Sequence, residues 1–213
     1  MIIAIDGPAA SGKGTLAKRV AAHYGLHHLD TGTLYRAVAR DTLAAGGDPS
    51  DPRAALEAAR ALDATSFDDP DLRTPAMGEA ASLAARHPEV RKTLLAYQRA
   101  FAHKKPGVVI DGRDIGTIVC PDADVKLFVT ATPEERARRR HREFKDDGVD
   151  VTEEEVLADI LARDERDKNR PVAPLRQAPD AVLLDTTNLD IDAAFRAAIG
   201  LIDAAMGRAG QAG

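Results

Sequence analysis

Apolar residues along the chain alternate between short unbroken runs and stripes at helical spacing. Runs bounded by turn formers stand at Ile2–Ile5, His27–Leu29, Val108–Ile110, Val125–Val129 and Ala181–Leu184, and each reads as a strand. Between them lie helical patterns, such as Leu16, Val20 and Tyr24 on one side of a segment that Gly25 should stop. A repeated β-α order predicts a parallel sheet with helices on both faces and its ligands at the carboxyl ends of the strands. Three of the runs lead into an aspartate, at Asp6, Asp111 and Asp185.

Two helix starts are explicit. Thr132-Pro133-Glu134-Glu135 offers an N-cap, a proline at the first helical position and a capping-box glutamate; Thr152-Glu153-Glu154-Glu155 repeats the box without the proline. Asp68–Met77, with two prolines and little periodicity, reads as a connection within an insert between the second and third strands. Phe144–Glu154 reads as a mobile surface segment joining two helices, and the terminal "GRAGQAG" as a frayed end.

Composition narrows the function. The 213 residues carry a net charge of -5 with 30% charged positions, which disfavours a general nucleic-acid or membrane-surface binder. The densest basic run, "ERARRRHREF" (Glu135–Phe144), is flanked by acids and has no tryptophan or aromatic platform for stacking bases. A single cysteine, Cys120, excludes an internal disulfide and a cysteine zinc site and reads as a buried thiol. The N-terminal strand runs straight into a glycine loop, so neither a signal peptide nor a membrane span is expected, and the location is expected to be cytoplasmic.

That loop is "GPAASGKGT", Gly7–Thr15. A glycine-rich turn between strand and helix lets backbone N–H groups converge on phosphate, with a lysine reaching the outer phosphates. In the strict pattern a hydroxyl directly after the lysine ligates Mg²⁺; here Gly14 stands in that place and Thr15 follows. The metal is therefore expected to rest on nucleotide phosphates and water.

An acceptor must be recognised elsewhere, and three stretches stand out: "LDTGTLYR" (Leu29–Arg36), "DGRDIGTIVCPDA" (Asp111–Ala123) and "ARDERDKNRPVAPL" (Ala162–Leu175). Val156 and Ile160 start an apolar stripe that, continued along the helix, brings Arg163, Asp167 and Arg170 to the same side, and Pro171 should end the helix there. Charges on the inward face call for an anion. A kinase for UMP, AMP or a small metabolite such as shikimate suits a P-loop with such a site; a nucleotide-operated switch suits it less, since no N-K-x-D base-recognition motif is present.

Taken together, the glycine loop, "DTGTLYR", "GRDIGT" and "RDERDKNRPVAPL" resemble the bacterial cytidylate kinase family over nearly the whole chain and in order. The resemblance implies a single α/β domain, 1–213, with a five-stranded parallel P-loop core, a monophosphate-binding insert at about 37–103 and a lid at about 136–170. It implies transfer of a phosphoryl group from ATP to CMP or dCMP with Mg²⁺, by a protein expected to be monomeric. ATP would be held by Gly7, Pro8, Ala9, Ala10, Ser11, Gly12, Lys13, Gly14 and Thr15, with Arg136 and Arg140 closing from the lid. Arg36, Arg113 and Arg170 would bind the acceptor phosphate, Arg163 and Asp167 the sugar, and Ser82, Arg91 and Asp114 the base, with Lys13, Arg113 and Arg170 acting on the transferring group. Thr31 stands where the family has serine and keeps the hydroxyl; Ala64–Ala76 is short for the small antiparallel sheet that many members carry.

Overall fold

The computed structural model describes residues 1–63, 67, 72 and 74–209. In chain order the elements are β1 (Ile2–Asp6), α1 (Lys13–Tyr24), β2 (His27–Asp30), α2 (Thr31–Ala44), α3 (Pro52–Arg60), α4 (Pro75–Ala84), α5 (Pro88–Ala102) and β3 (Val108–Gly112). A single π-helical turn (Ile115–Val119) follows, then β4 (Val125–Thr130), α6 (Pro133–Asp146), α7 (Glu153–Asn169), β5 (Val182–Asp185) and α8 (Ile191–Ala209). The five expected strands form one all-parallel sheet in the order β2-β3-β1-β4-β5, flanked by helices.

The order follows from burial. Ile3, Ala4 and Ile5 of β1 and Val108, Val109 and Ile110 of β3 are wholly buried, as befits central strands, whereas Leu183 on the edge strand β5 is exposed. One face of the sheet closes on α1 and α8: Ile3, Ile5, Leu127 and Val129 meet Leu16 and Val20 of α1 and Ala198 and Ile202 of α8. Each strand is followed by a helix or turn at its carboxyl end, so the functional loops lie along that edge.

The chain divides into two compact units, Met1–Leu29 with Lys104–Gly213, and Asp30–His103. In the second, α2 packs on α4 and α3 on α5 over a core that includes Leu34, Val38, Val90 and Leu94. The last residues of the Asp68–Met77 stretch are not a connection: α4 begins at Pro75, with Thr74 Oγ1 accepting the Met77 amide. The same Thr-Pro start opens α6, and proline at the first helical position costs nothing because its missing N–H would be unpaired there. The earlier part of that stretch, and most of Ala64–Ala76, lie outside the described residues.

In the first unit α6 and α7 form a hairpin around Ala137, Phe144, Val156 and Ile160. Phe144 is thus a packed helical residue, and the join between the two helices is only 147–152. The capping box at the start of α7 is complete, Glu155 donating its amide to Thr152 Oγ1 at 3.2 Å and accepting the Thr152 amide at 2.8 Å. At the other end α8 continues through Gly207 to Ala209, further than the expected fraying, and residues 210–213 lie outside the described set. Cys120 is buried, and among the described residues no helix is long and apolar enough to cross a membrane.

Because Ile5 sits wholly buried in the central strand, Ile5→Ala should lower the unfolding free energy by about 3 kcal/mol, read as a shift of the urea midpoint with an unchanged slope.

Candidate active site

The glycine loop is shaped by two residues in the left-handed region, Ala10 (φ 56°) and Gly12 (φ 82°), the latter the N-cap of α1. Such turns aim successive amides into one concavity. Gly7 is required by space, since a Cβ there would stand 2.0 Å from the Val129 carbonyl oxygen. Lys13 donates from Nζ to the Pro8 carbonyl at 3.4 Å, so its ammonium lies over the loop. Ser11 is wholly buried and its hydroxyl has no protein partner.

Opposite the loop stands a carboxylate that the sequence marked only as a strand end. Asp111 Oδ1 is 3.8 Å from where a Gly14 Cβ would be, and Asp111 Oδ2 is 2.9 Å from His28 Nε2. Asp111 is 1% exposed. The place of the missing hydroxyl side chain at position 14 is thus faced by an acid from the end of β3.

Along the same edge, Val156, Ile160, Asp167 and the C-cap Arg170 of the expected inward stripe of α7 are buried, Arg163 is half-buried, and Asp164, which was not expected there, is buried as well. Arg113 Nε donates to Asp167 Oδ2 at 2.9 Å. Burial alone would push Asp167 up, but the guanidiniums of Arg113, Arg163 and Arg170 outweigh it and hold the carboxyl below its usual range. Arg170 donates from Nε to the Ala173 carbonyl at 2.5 Å and stands with Nη2 3.5 Å from Asp114 Oδ1. The "GRDIGT" stretch leads from the end of β3 into the π-helical turn, whose first two amides, of Ile115 and Gly116, donate to Asp6 Oδ1 and Oδ2 at 2.8 Å each. Burial pushes the Asp6 carboxyl up to about 6, against the lowering effect of those amides.

The basic helix α6 uses its arginines unequally. Arg136, expected to reach the triphosphate, is 2% exposed and fully engaged: it meets both Asp164 oxygens, at 3.1 and 2.5 Å, and donates to the carbonyls of Ala9 and Ala131. It ties the glycine loop to α6 and α7. Arg140 pairs with Glu143 and lies over the Phe144 ring. Arg139, which the sequence did not single out, donates to Glu135, to Thr186 Oγ1 and to the carbonyls of Thr186 and Leu189, and lies 3.8 Å from where a Gly12 Cβ would be. It walls a cavity of about 420 Å³ that opens beside Ser11, Gly12 and Thr15 and is lined by Leu16, Val129 and Leu189.

The second unit holds the remaining expected residues. Thr31 is buried at the start of α2. Arg36 donates from Nη2 to Asp30 at 2.6 Å and to Thr33 at 2.8 Å. Ser82 of α4 is 5% exposed with its hydroxyl unpartnered in the protein. Arg91 of α5, also buried, reaches the Ala85 carbonyl and lies over the Tyr35 ring at 5.4 Å.

A strand, a phosphate-shaped loop with its lysine, and a guanidinium cluster along one sheet edge define a P-loop phosphotransferase. The family model for cytidylate kinase matches residues 3–203. The cytidylate kinase of Rhodopseudomonas palustris (strain TIE-1) is 60% identical over 211 residues, 99% of each chain, and that of Nitrobacter winogradskyi is 58% identical over 212 residues, 100% of each. A crystal structure of an uncharacterized protein from Eubacterium ventriosum ATCC 27560 shares the fold, with a TM-score of 0.57 at 16% identity over 95% of this chain and 98% of that one. The chain belongs to the cytidylate kinase family and is a nucleotide kinase that uses ATP.

Because Asp6 titrates higher when folded than its ordinary 3.8, the folded state binds more protons between those values, and its stability falls as pH rises through them. The unfolding free energy of the protein minus that of an Asp6→Asn variant should therefore drop by about 2 kcal/mol between pH 4 and pH 7 and level off above, measured by urea titration at each pH.

Proposed function

We propose that the protein moves the γ-phosphoryl group of ATP to CMP or dCMP, giving ADP and CDP or dCDP, with the glycine loop as donor cradle and the α7 cluster as acceptor anchor. The observation that carries this reading is the group of buried Asp167 and Arg170 with half-buried Arg113, on the same sheet edge as the glycine loop and Lys13. The three guanidiniums of Arg113, Arg163 and Arg170 stand against the two carboxylates of Asp167 and Asp114, and the surplus positive charge suits a phosphate dianion.

A monophosphate is already nucleophilic near neutral pH, its second ionisation lying at about 6, so no general base is needed. Lys13, Arg113 and Arg170 position the two phosphates and neutralise charge as the phosphoryl group passes between them. The donor set fits Mg²⁺: the Asp111 carboxylate, which faces Gly14, is a hard oxygen ligand of the kind this ion takes beside phosphates and water. Asp111 would hold the ion together with nucleotide phosphates and water; when bound, Mg²⁺ neutralises charge on the donor phosphates.

Arg36 adds to the acceptor phosphate site, Arg163 and Asp167 take the sugar, and Thr31 lines the approach. Asp114 and Ser82 accept from the cytosine amine while Arg91 donates to its ring acceptors; the unpartnered, buried Ser82 hydroxyl supports this, because such a group is expected to find a partner in the complex. Uracil puts an acceptor where the amine was and would strand the Asp114 carboxylate. The donor base takes the cavity beside Gly12, walled by Arg139. Residues at about 37–103 act as the monophosphate-binding insert and those at about 136–170 as the lid, with Arg136 fastening the loop and Arg140 closing from the rim.

In coupled ADP-release assays with ATP, CMP and dCMP should turn over well above UMP, AMP and shikimate; faster turnover of AMP or shikimate than of CMP would refute the acceptor assignment. Lys13→Met should lower kcat by roughly 10²-fold or more with the circular dichroism spectrum unchanged, and a near-native rate would remove Lys13 from catalysis.

A further inference from the structure

An aspartate that precedes a helical turn ordinarily folds its carboxylate back onto the turn's own unpaired amides. Asp114 holds that position ahead of the π-helical turn, yet its side chain makes no capping bond. The amides are met from 109 and 110 residues away, by both oxygens of Asp6. Asp6 is the last residue of β1 and immediately precedes the glycine loop. Gly116 packs close to the pairing: a Cβ there would stand 3.1 Å from Lys126 Cδ and 3.4 Å from Asp6 Oδ2. The charges facing Asp6 are those of Arg113 and Asp114, and the pairing requires the ionised form, which offers two acceptor oxygens and no donor.

We propose that Asp6 is a positioning residue for base recognition: by capping the π-helical turn from the end of the donor strand, it keeps the Asp114 carboxylate from being drawn into capping and presents it to the acceptor base. The inference rests on the reading of Asp114 as a base-reading residue. An asparagine at position 6 supplies one acceptor and turns an NH₂ toward the second amide. That unmet amide then recruits the nearest carboxylate, Asp114, one or two residues away. Acceptor selectivity is lost while the donor site stays as it was.

The test is a double-mutant cycle of Asp6→Asn and Asp114→Ala, reading kcat/KM for CMP and for UMP at saturating ATP, and KM for ATP. Asp6→Asn should lower the CMP-to-UMP ratio about tenfold, the scale of one hydrogen bond, with KM for ATP unchanged; in the Asp114→Ala background it should lower the ratio no further. A native ratio in Asp6→Asn, or additive losses in the double variant, overturns the proposal while leaving the reading of Asp114 intact. A native ratio in Asp114→Ala overturns that reading and the proposal with it. Should Asp6→Asn fail to fold, Asp6→Glu, whose longer side chain carries the carboxylate out of register with the two amides, decides the matter by the same ratio.

Discussion

Buried acidic side chains, at the carboxyl ends of β1 and β3 and on the inner face of α7, are the constraint on which this protein's working edge depends. Removing a carboxylate from water costs several kcal/mol unless partners meet its charge, and each such acid is met from far along the chain. Asp6 takes the amides of Ile115 and Gly116, Asp111 takes His28, Asp164 takes Arg136 and Asp167 takes Arg113. Since none of these pairings can be dropped cheaply, together they fix where the glycine loop, the π-helical turn and α7 stand within the first unit. The acids organise the edge, and the cations they hold supply the charge that phosphate needs.

The basic helix α6 shows how the same residue type serves different ends. Arg136, enclosed with Asp164, holds the Ala9 carbonyl and so shapes the loop. Pairs such as Arg138 with Glu135 and Arg140 with Glu143 are more exposed, and exposed pairs contribute little to stability. Arg139 lies between these extremes, bracing the loop after β5 against the helix beside Gly12. A run that looks uniformly basic therefore divides into fastening, cavity wall and solvated surface according to helical phase.

The strands were legible because apolar runs bounded by turn formers leave little choice, and the starts of α6 and α7 because their capping residues are local signals. The start of α4 was equally legible at Thr74-Pro75, but two prolines in a short stretch weighed toward a connection. The inward phase of Asp167 and Arg170 followed from periodicity, whereas Arg163 is only half-buried and its neighbour Asp164 takes the inward place. Ser82, Arg91 and Arg36 came into view through the family resemblance rather than through spacing. His28, Asp111 and Arg139 were not found as site residues, because nothing in their neighbours along the chain marks them; their significance lies in what they face.

By itself, then, the sequence determined the parallel sheet, the phosphate loop, the change from hydroxyl to glycine at position 14 and the family to which the chain belongs, all of which are written in local pattern or short motifs. The tertiary structure alone decided that Asp111 faces Gly14, that Arg136 serves the loop from a buried position, and that the cap on the "GRDIGT" turn comes from Asp6 rather than from Asp114. Burial and long-range hydrogen bonding set the role of a charged side chain, and both are properties of the packed chain, not of the residue or its neighbours in sequence.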